Sequence, residues 1–403
     1  MTAAVTGIGV TAPTGLHPAE YWAATLAGRG GIGEVTGFDA TRYPVRLVGQ
    51  VRDFRAEERI PKRLLTQTDR VTRLALYAAA QALDDAGVTE GALPDEDMGV
   101  VLSNGQGGSD FTHREFRKLW TEGVSAVSVY ESFAWFYAAN TGQVSIRHRM
   151  RGPSSVLVGE QAGGLDAIGK AWRQVRSGDR LVVTGGVDSA FDPWGFIAQY
   201  SHGRVSRARI AERAYLPFDV AANGYVPAEG GAVLVLEDPA SAYDRGVRSY
   251  GEIAGHAATF DPPPGSDRPG TLREAIRLAL ADADVTPEDV DVVFADSAGL
   301  PELDRAEADA IAAVFGPRAV PVTAPKAGYG RSGAGGGPLD VVTALQALRH
   351  ATIPPTPYTA DVPPEYGIDV VTGAARPASI RTALVLARGF GGFNSAVVVR
   401  APA

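Results

Sequence analysis

Cysteine is absent from all 403 residues. That absence excludes disulfides, cysteine metal sites and thiol catalysis together. A basic excess is missing too. The 38 Lys and Arg face 46 Asp and Glu, a formal net charge of −8, which leaves no global field to draw in nucleic acid. No run approaches the ~18 apolar residues expected of a membrane span. The opening Met1-Thr2-Ala3-Ala4-Val5 has neither the basic start nor the apolar stretch of a signal peptide. The expectation is a soluble cytoplasmic protein. Short-period repeats and low-complexity tracts are lacking as well.

What is there is ordinary for a globular chain: 45% hydrophobic and 21% charged residues. The length suits two or three domain-sized units of about 100–200 residues. Helical and strand patterns alternate, as in an α/β protein. Strands are expected at 3–10, 98–102, 181–183, 232–236, 292–295, 382–387 and 396–399. A further, buried strand is expected at 154–158. It runs into a helix whose Leu165, Ile168, Trp172 and Val175 keep helical spacing and which stops at Ser177-Gly178-Asp179. The loop Asp261-Pro262-Pro263-Pro264-Gly265 is a candidate boundary region. Thr271 to Glu274 has the form of a capping box, Thr286-Pro287 starts a short helical turn, and Pro338 opens a helix through Leu348.

Several motifs carry less than they suggest. Gly7-Ile-Gly9 after a strand imitates a dinucleotide fingerprint, but no acidic residue follows at the required distance. Gly164 to Gly169-Lys170 has phosphate-loop spacing, yet Ala171 stands where Ser or Thr would hold magnesium, and the segment also fits an amphipathic helix. The six histidines are scattered without metal-ligand spacing. Arg204, Arg207, Arg209 and Arg213 form a basic run, either a solvated face or a docking surface for an acidic partner.

Four segments together resemble the β-ketoacyl synthase family of the thiolase superfamily. They are Val5 to Val10 with Pro13 and Gly15; Pro217-Phe-Asp219 through Glu229 to Glu237; Lys326 with Gly330 and Gly333 to Gly337; and Gly389-Phe390-Gly391-Gly392-Phe-Asn394. The resemblance covers nearly the whole chain. It implies an α/β, thiolase-like fold of two similar βα halves in five αβαβα layers. The halves would span residues 1–245, with the nucleophile elbow, and 250–403, with the histidine motifs.

In that family a cysteine at a strand-to-helix elbow is activated by the helix dipole. Two histidines then bind the thioester carbonyl while malonyl loses carbon dioxide. Matched motif by motif, the elbow Val158-Gly159-Glu160-Gln161-Ala162-Gly163-Gly164 puts Gln161 in the cysteine's place. A carboxamide is not a usable nucleophile. Asp296 in Phe294 to Gly299 stands for the first histidine, where a carboxylate would repel the developing enolate. Arg331 stands for the second, while Lys326 is retained. The site is degenerate.

Within the family the elbow, Phe111 to Trp120 and Tyr130 to Phe136 resemble the chain-length factor, the ketosynthase β subunit of bacterial type II polyketide synthases. The resemblance implies a heterodimer with a catalytic ketosynthase α subunit. It implies no cofactor, because the growing chains arrive on phosphopantetheinyl acyl carrier protein, and neither nucleic acid nor membrane as partner. Ser109, Thr112 and Phe116, at i, i+3 and i+7, share one helical face. By resemblance that face lines the tunnel for the growing chain; ordinary helix packing is the alternative. Phe133 to Phe136 fits either an interface or a core.

Three functions are open at this point. The first is a non-catalytic subunit that controls chain length. In the second, Gln161 promotes malonyl decarboxylation to prime the chain. The third is an ordinary condensing enzyme using Ser155, Ser189 or Ser297, each of which needs a base within hydrogen-bond reach.

Overall fold

Gly7 and Gly9 explain their own spacing once the chain is folded. A Cβ on Gly7 would come within 2.0 Å of Ala82 O, and one on Gly9 within 1.9 Å of Ala78 O. The glycines let a helix lie directly on the first strand, and no nucleotide is needed to account for them. The computed structural model describes residues 2–89, 91–263 and 265–402.

The first half contains strands β1 (Ala3–Thr11), β2 (Met98–Ser103), β3 (Ser154–Leu157), β4 (Leu181–Asp188) and β5 (Gly230–Glu237). Its helices include α1 (Arg70–Asp85), α2 (Ser109–Glu122), α3 (Glu131–Ala134), α4 (Ala139–His148), α5 (Gly163–Arg176) and α6 (Pro193–Ser201). The second half contributes β6 (Gly251–Phe260), β7 (Val292–Phe294), β8 (Pro321–Thr323), β9 (Asp369–Val370), β10 (Thr382–Arg388) and β11 (Phe393–Arg400). Its main helices are α7 (Leu272–Asp282), α8 (Pro301–Phe315) and α9 (Gly336–His350).

Among the described residues eleven strands join in the order β9-β8-β7-β10-β11-β6-β1-β5-β4-β2-β3. Outward from the centre each half repeats one pattern. β1-β5-β4 and β6-β11-β10 are antiparallel neighbours, and the next two strands of each half are parallel. The halves meet where Ala3 to Val5 pairs antiparallel with Gly251 to Ile253. The thiolase-like arrangement of two similar βα halves is therefore present.

Helices α5 and α9 form the middle layer and share one core with strands of both halves: Leu165, Ile168 and Trp172 meet Leu339, Val342 and Leu345. α9 is buried from Gly336 to Leu348, as a central-layer helix must be. At Gly164 a side chain would come within 2.1 Å of Ala334 O, so this glycine too serves close packing. α1 covers the outer face of the first half and α7 and α8 that of the second, each over its own core.

Some local expectations are corrected. The 154–158 strand is not buried. It is the free edge of the sheet, half-exposed, with Val158 52% accessible. Thr271 precedes α7 without capping it; its hydroxyl bonds Thr259 and Asp261 instead. α9 begins at Gly336, two residues before Pro338. The Asp261 loop is not a boundary, because it follows β6 inside the second half and Asp261 N bonds Gly392 O. Pro264 lies outside the described residues. The strands expected at 382–387 and 396–399, by contrast, are present: they lie in β10 and β11, one antiparallel hairpin closed at residues 389–392.

Candidate functional site

The elbow follows β3 and turns at Glu160, which has φ +52°, a left-handed conformation unusual for a side chain of this size. Gln161 comes next, just ahead of α5, and its carboxamide makes no hydrogen bond among the described residues. The Glu160 carboxylate accepts the Phe390 N–H. That contact ties the elbow to the turn formed by Gly389, Phe390, Gly391 and Gly392.

Asp296 and Arg331 come together. Arg331 Nη2 donates to Asp296 Oδ1 at 2.9 Å and Nη1 to Oδ2 at 3.0 Å, both side chains buried. The same guanidinium reaches the carbonyls of Asp296 and Arg388, each at 3.0 Å, and Arg388 N donates to Asp296 Oδ1 at 2.8 Å. Burial works against the carboxylate, but Arg331 and then Lys326 hold Asp296 below the usual range. Burial works against the guanidinium too, and Asp296 outweighs it, so Arg331 stays charged. A two-point, charge-assisted pair leaves neither group a proton to exchange at ordinary pH.

Lys326 Nζ donates to Ala295 O at 2.9 Å and lies 2.5 Å from Asp340 Oδ2. Burial pushes Asp340 up to about 6, with Lys326 pulling against it. Glu307 accepts the N–H groups of Asp296 and Ser297 at 2.7 and 2.8 Å, and burial, then Asp296, push it up to about 7. Lys326 and Glu307 thus hold the backbone that carries Asp296.

Two cavities adjoin this centre. The larger, about 770 Å³, is lined by Gln161, Ser109, Thr112, Phe116, Trp194 and Glu131, among others. The smaller, about 420 Å³, is lined by Asp296, Arg388 and residues 389–392, and shares Glu160, Gln161, Tyr225 and Arg331 with the first. At the smaller one Arg204 lies 4.1 Å over the Phe390 ring. Arg204 is therefore partly engaged, while Arg207, Arg209 and Arg213 are exposed.

The face carrying Ser109, Thr112 and Phe116 fronts the larger cavity, but the three side chains behave differently. Ser109 Oγ donates to Asp192 Oδ2 at 2.8 Å, and Asp192 caps α6 through the N–H groups of Trp194 and Gly195. Thr112 is buried. Phe116 is 44% exposed and its ring lies 6.2 Å from that of Trp194. Trp135 and Phe136 are about half exposed, so this aromatic stretch is surface rather than core. The three serines lack the arrangement nucleophilic attack needs. Ser189 Oγ donates to Glu229, already paired with Arg70, while Ser155 and Ser297 have buried, unpartnered hydroxyls among the described residues.

Sequence reasoning missed Glu160, Asp192 and Asp188. Asp188 accepts the N–H groups of Gly105, Gln106 and Ala334, and burial pushes it up to about 7. It joins the loop ahead of α2 to the glycine-rich turn ahead of α9. No local motif announces a carboxylate whose partners lie 83 and 146 residues away.

The chain matches the β-ketoacyl synthase N-terminal domain over residues 2–242 and the β-ketoacyl synthase C-terminal domain over residues 250–359. It is 64% identical over 401 residues to the actinorhodin polyketide putative β-ketoacyl synthase 2 of Streptomyces coelicolor, covering 99% of this chain and 98% of that one. It is 55% identical to the tetracenomycin polyketide synthase ketoacyl synthase beta subunit of Streptomyces glaucescens, covering 98% and 97%. Among solved structures, the ishigamide ketosynthase/chain length factor superposes with a TM-score of 0.93 at 26% identity, covering 100% and 99%.

Proposed function

The chain belongs to the β-ketoacyl synthase family, and from that premise we propose that it is the chain-length factor of a type II polyketide synthase. It has no condensing activity of its own, pairs with a catalytic ketosynthase, and shapes the tunnel that sets poly-β-keto length. The observation that carries this reading is the Asp296–Arg331 ion pair. Both histidine positions are filled by charges that neutralise each other, and Gln161 occupies the nucleophile position beside the larger cavity.

The surface supports a protein partner. Trp120 is 81% and Ile146 72% exposed, Trp135 and Phe136 are about half exposed, and β3 leaves one sheet edge unpaired. Exposed apolar side chains and an open sheet edge each favour burial against another subunit. A phosphopantetheinyl acyl carrier protein brings the chain to the pair, and no cofactor takes part. Among the described residues no helix is long and apolar enough to cross a membrane.

Co-purification tests the reading. The chain is expected to elute as a heterodimer with a cysteine-bearing ketosynthase. A monodisperse monomer that ignores this partner overturns it.

The unpaired Gln161 carboxamide favours one second reading. Its N–H donors are free to bind a malonyl thioester carbonyl and assist decarboxylation. Release of acetyl-carrier protein from malonyl-carrier protein by the isolated chain, lost in Gln161→Ala, supports that role; no release removes it.

A further inference from the structure

Two backbone N–H groups at the centre of the site point at one oxygen. Gln161 N donates to Glu160 Oε2 at 3.5 Å, and Phe390 N donates to the same oxygen. The donors come from segments far apart in the chain, the elbow and the turn between β10 and β11. The backbone itself brings them together. A Cβ on Gly389 would lie 3.0 Å from Gly159 O, so turn and elbow are in close contact whatever side chain stands at 160. Among the described residues Glu160 makes no ion pair, and these two N–H groups are its only hydrogen-bond partners.

The backbone of Glu160, at φ +52°, is strained for a residue with a side chain and persists only where its surroundings impose it. Glycine would hold the same turn without strain, so the local backbone gives no reason for a glutamate here. Paired N–H donors aimed at one point suit an oxygen that carries or gains negative charge, such as a carboxylate or a thioester carbonyl under attack. In this chain its own carboxylate fills that point. Glu160 and Gln161 line both cavities, so a thioester entering from either one meets a cradle already taken.

We propose that Glu160 is a built-in occupant of a two-donor oxygen cradle, and that by filling it Glu160 keeps this subunit from activating thioesters. The inference adds an autoinhibitory contact to the loss of the nucleophile and does not depend on chain-length control. A nucleophile at 161 is then not enough for acyl transfer; position 160 must also be emptied.

The chain has no cysteine, so Gln161→Cys introduces its single thiol. The test compares the heterodimer carrying Gln161→Cys with one carrying Gln161→Cys and Glu160→Gly, with S-acetyl-pantetheine as acyl donor. The introduced thiolate attacks the thioester carbonyl; a new C–S bond forms, the old one breaks, and the departing pantetheine thiolate takes up a proton. The intact mass of each subunit separates acetylation here from acetylation of the partner. Emptying position 160 is expected to raise the acetylation rate of this subunit about a hundredfold, the scale of a regained oxyanion donor. Iodoacetamide alkylates the same thiol by displacement at a saturated carbon, which develops no oxyanion, and its rate is expected to change far less. Glu160→Ala carries the test if the glycine variant fails to assemble. Unchanged acetylation in intact complexes overturns the inference. So does an equal rise in both rates, which would make Glu160 only a screen over position 161. Product length enters neither assay, so the chain-length reading stands or falls separately.

Discussion

Arg331 grips Asp296 at two points, 2.9 and 3.0 Å, in a buried site where the family's resemblance calls for two histidines. Two histidines share no charge and can be replaced one at a time. An aspartate and an arginine in contact cannot, because each alone would be a buried, unpaired charge.

Removing one partner is therefore expected to cost stability steeply. Arg331→His or Asp296→His alone should destabilise the fold by about 3–5 kcal/mol, and the double substitution by less than the sum of the two. Chemical denaturation of all three variants measures the coupling. Additive losses would show that the pair acts as two independent residues.

Gln161→Cys is not expected to create a condensing enzyme. The new thiol would precede α5, but Asp296 and Arg331 remain locked together and neither stabilises an enolate. Transacylation and condensation assays on the purified variant check this separately. Acylation without condensation fits the account, and condensation by the single variant without its partner refutes it.

The proposed tunnel role of α2 makes product length the readout for its cavity-facing residues. Ser109→Phe is expected to shorten the polyketide, because a phenyl ring fills volume that a hydroxymethyl leaves open. The substitution also removes the donor to Asp192 Oδ2, so a stability loss of about 1–3 kcal/mol accompanies it. Phe116→Ala should lengthen the product. Its ring is nearly half exposed, and truncation costs about 1–2 kcal/mol rather than the ~3–5 kcal/mol of a fully buried phenylalanine. Mass spectra from intact pairs decide; unchanged lengths in both would make α2 a packing helix only.

Stability is expected to fall as pH rises from about 5 to 7.5. Burial raises five carboxyls, Asp69, Asp188 and Glu307 to about 7 and Asp304 and Asp340 to about 6. A raised folded-state pKa means that the folded protein binds more protons than the unfolded chain in this window. The stabilisation is complete below the unfolded values and is lost as pH passes through 6 to 7. Asp296, held low, is ionised throughout and adds no slope. Thermal unfolding at pH 5.5 and 7.5 reads the sign, and a higher midpoint at 7.5 would contradict it.

The fold was legible in the sequence wherever a pattern is local. The apolar run of β1, the helical spacing of Leu165, Ile168, Trp172 and Val175, and the order of the glycine motifs each reflect one element. Edge exposure was not legible, because β3 has the composition of a buried strand and only the sheet order puts it outermost. That Gln161, Asp296 and Arg331 fall at the positions the resemblance assigns to the cysteine and histidines could be read position by position. That Asp296 and Arg331 satisfy each other could not, since their contact joins segments 35 residues apart. Nor could the duty of Ser109, whose partner Asp192 caps another helix.

The central claim is that this chain sets polyketide length without performing the condensation. Its most direct test exchanges subunits: one catalytic ketosynthase is paired in turn with this chain and with a second β subunit of different product length. The account predicts that the carbon count of the product, measured by mass spectrometry, follows the β subunit. A count that stays with the catalytic ketosynthase in both assembled pairs would contradict it.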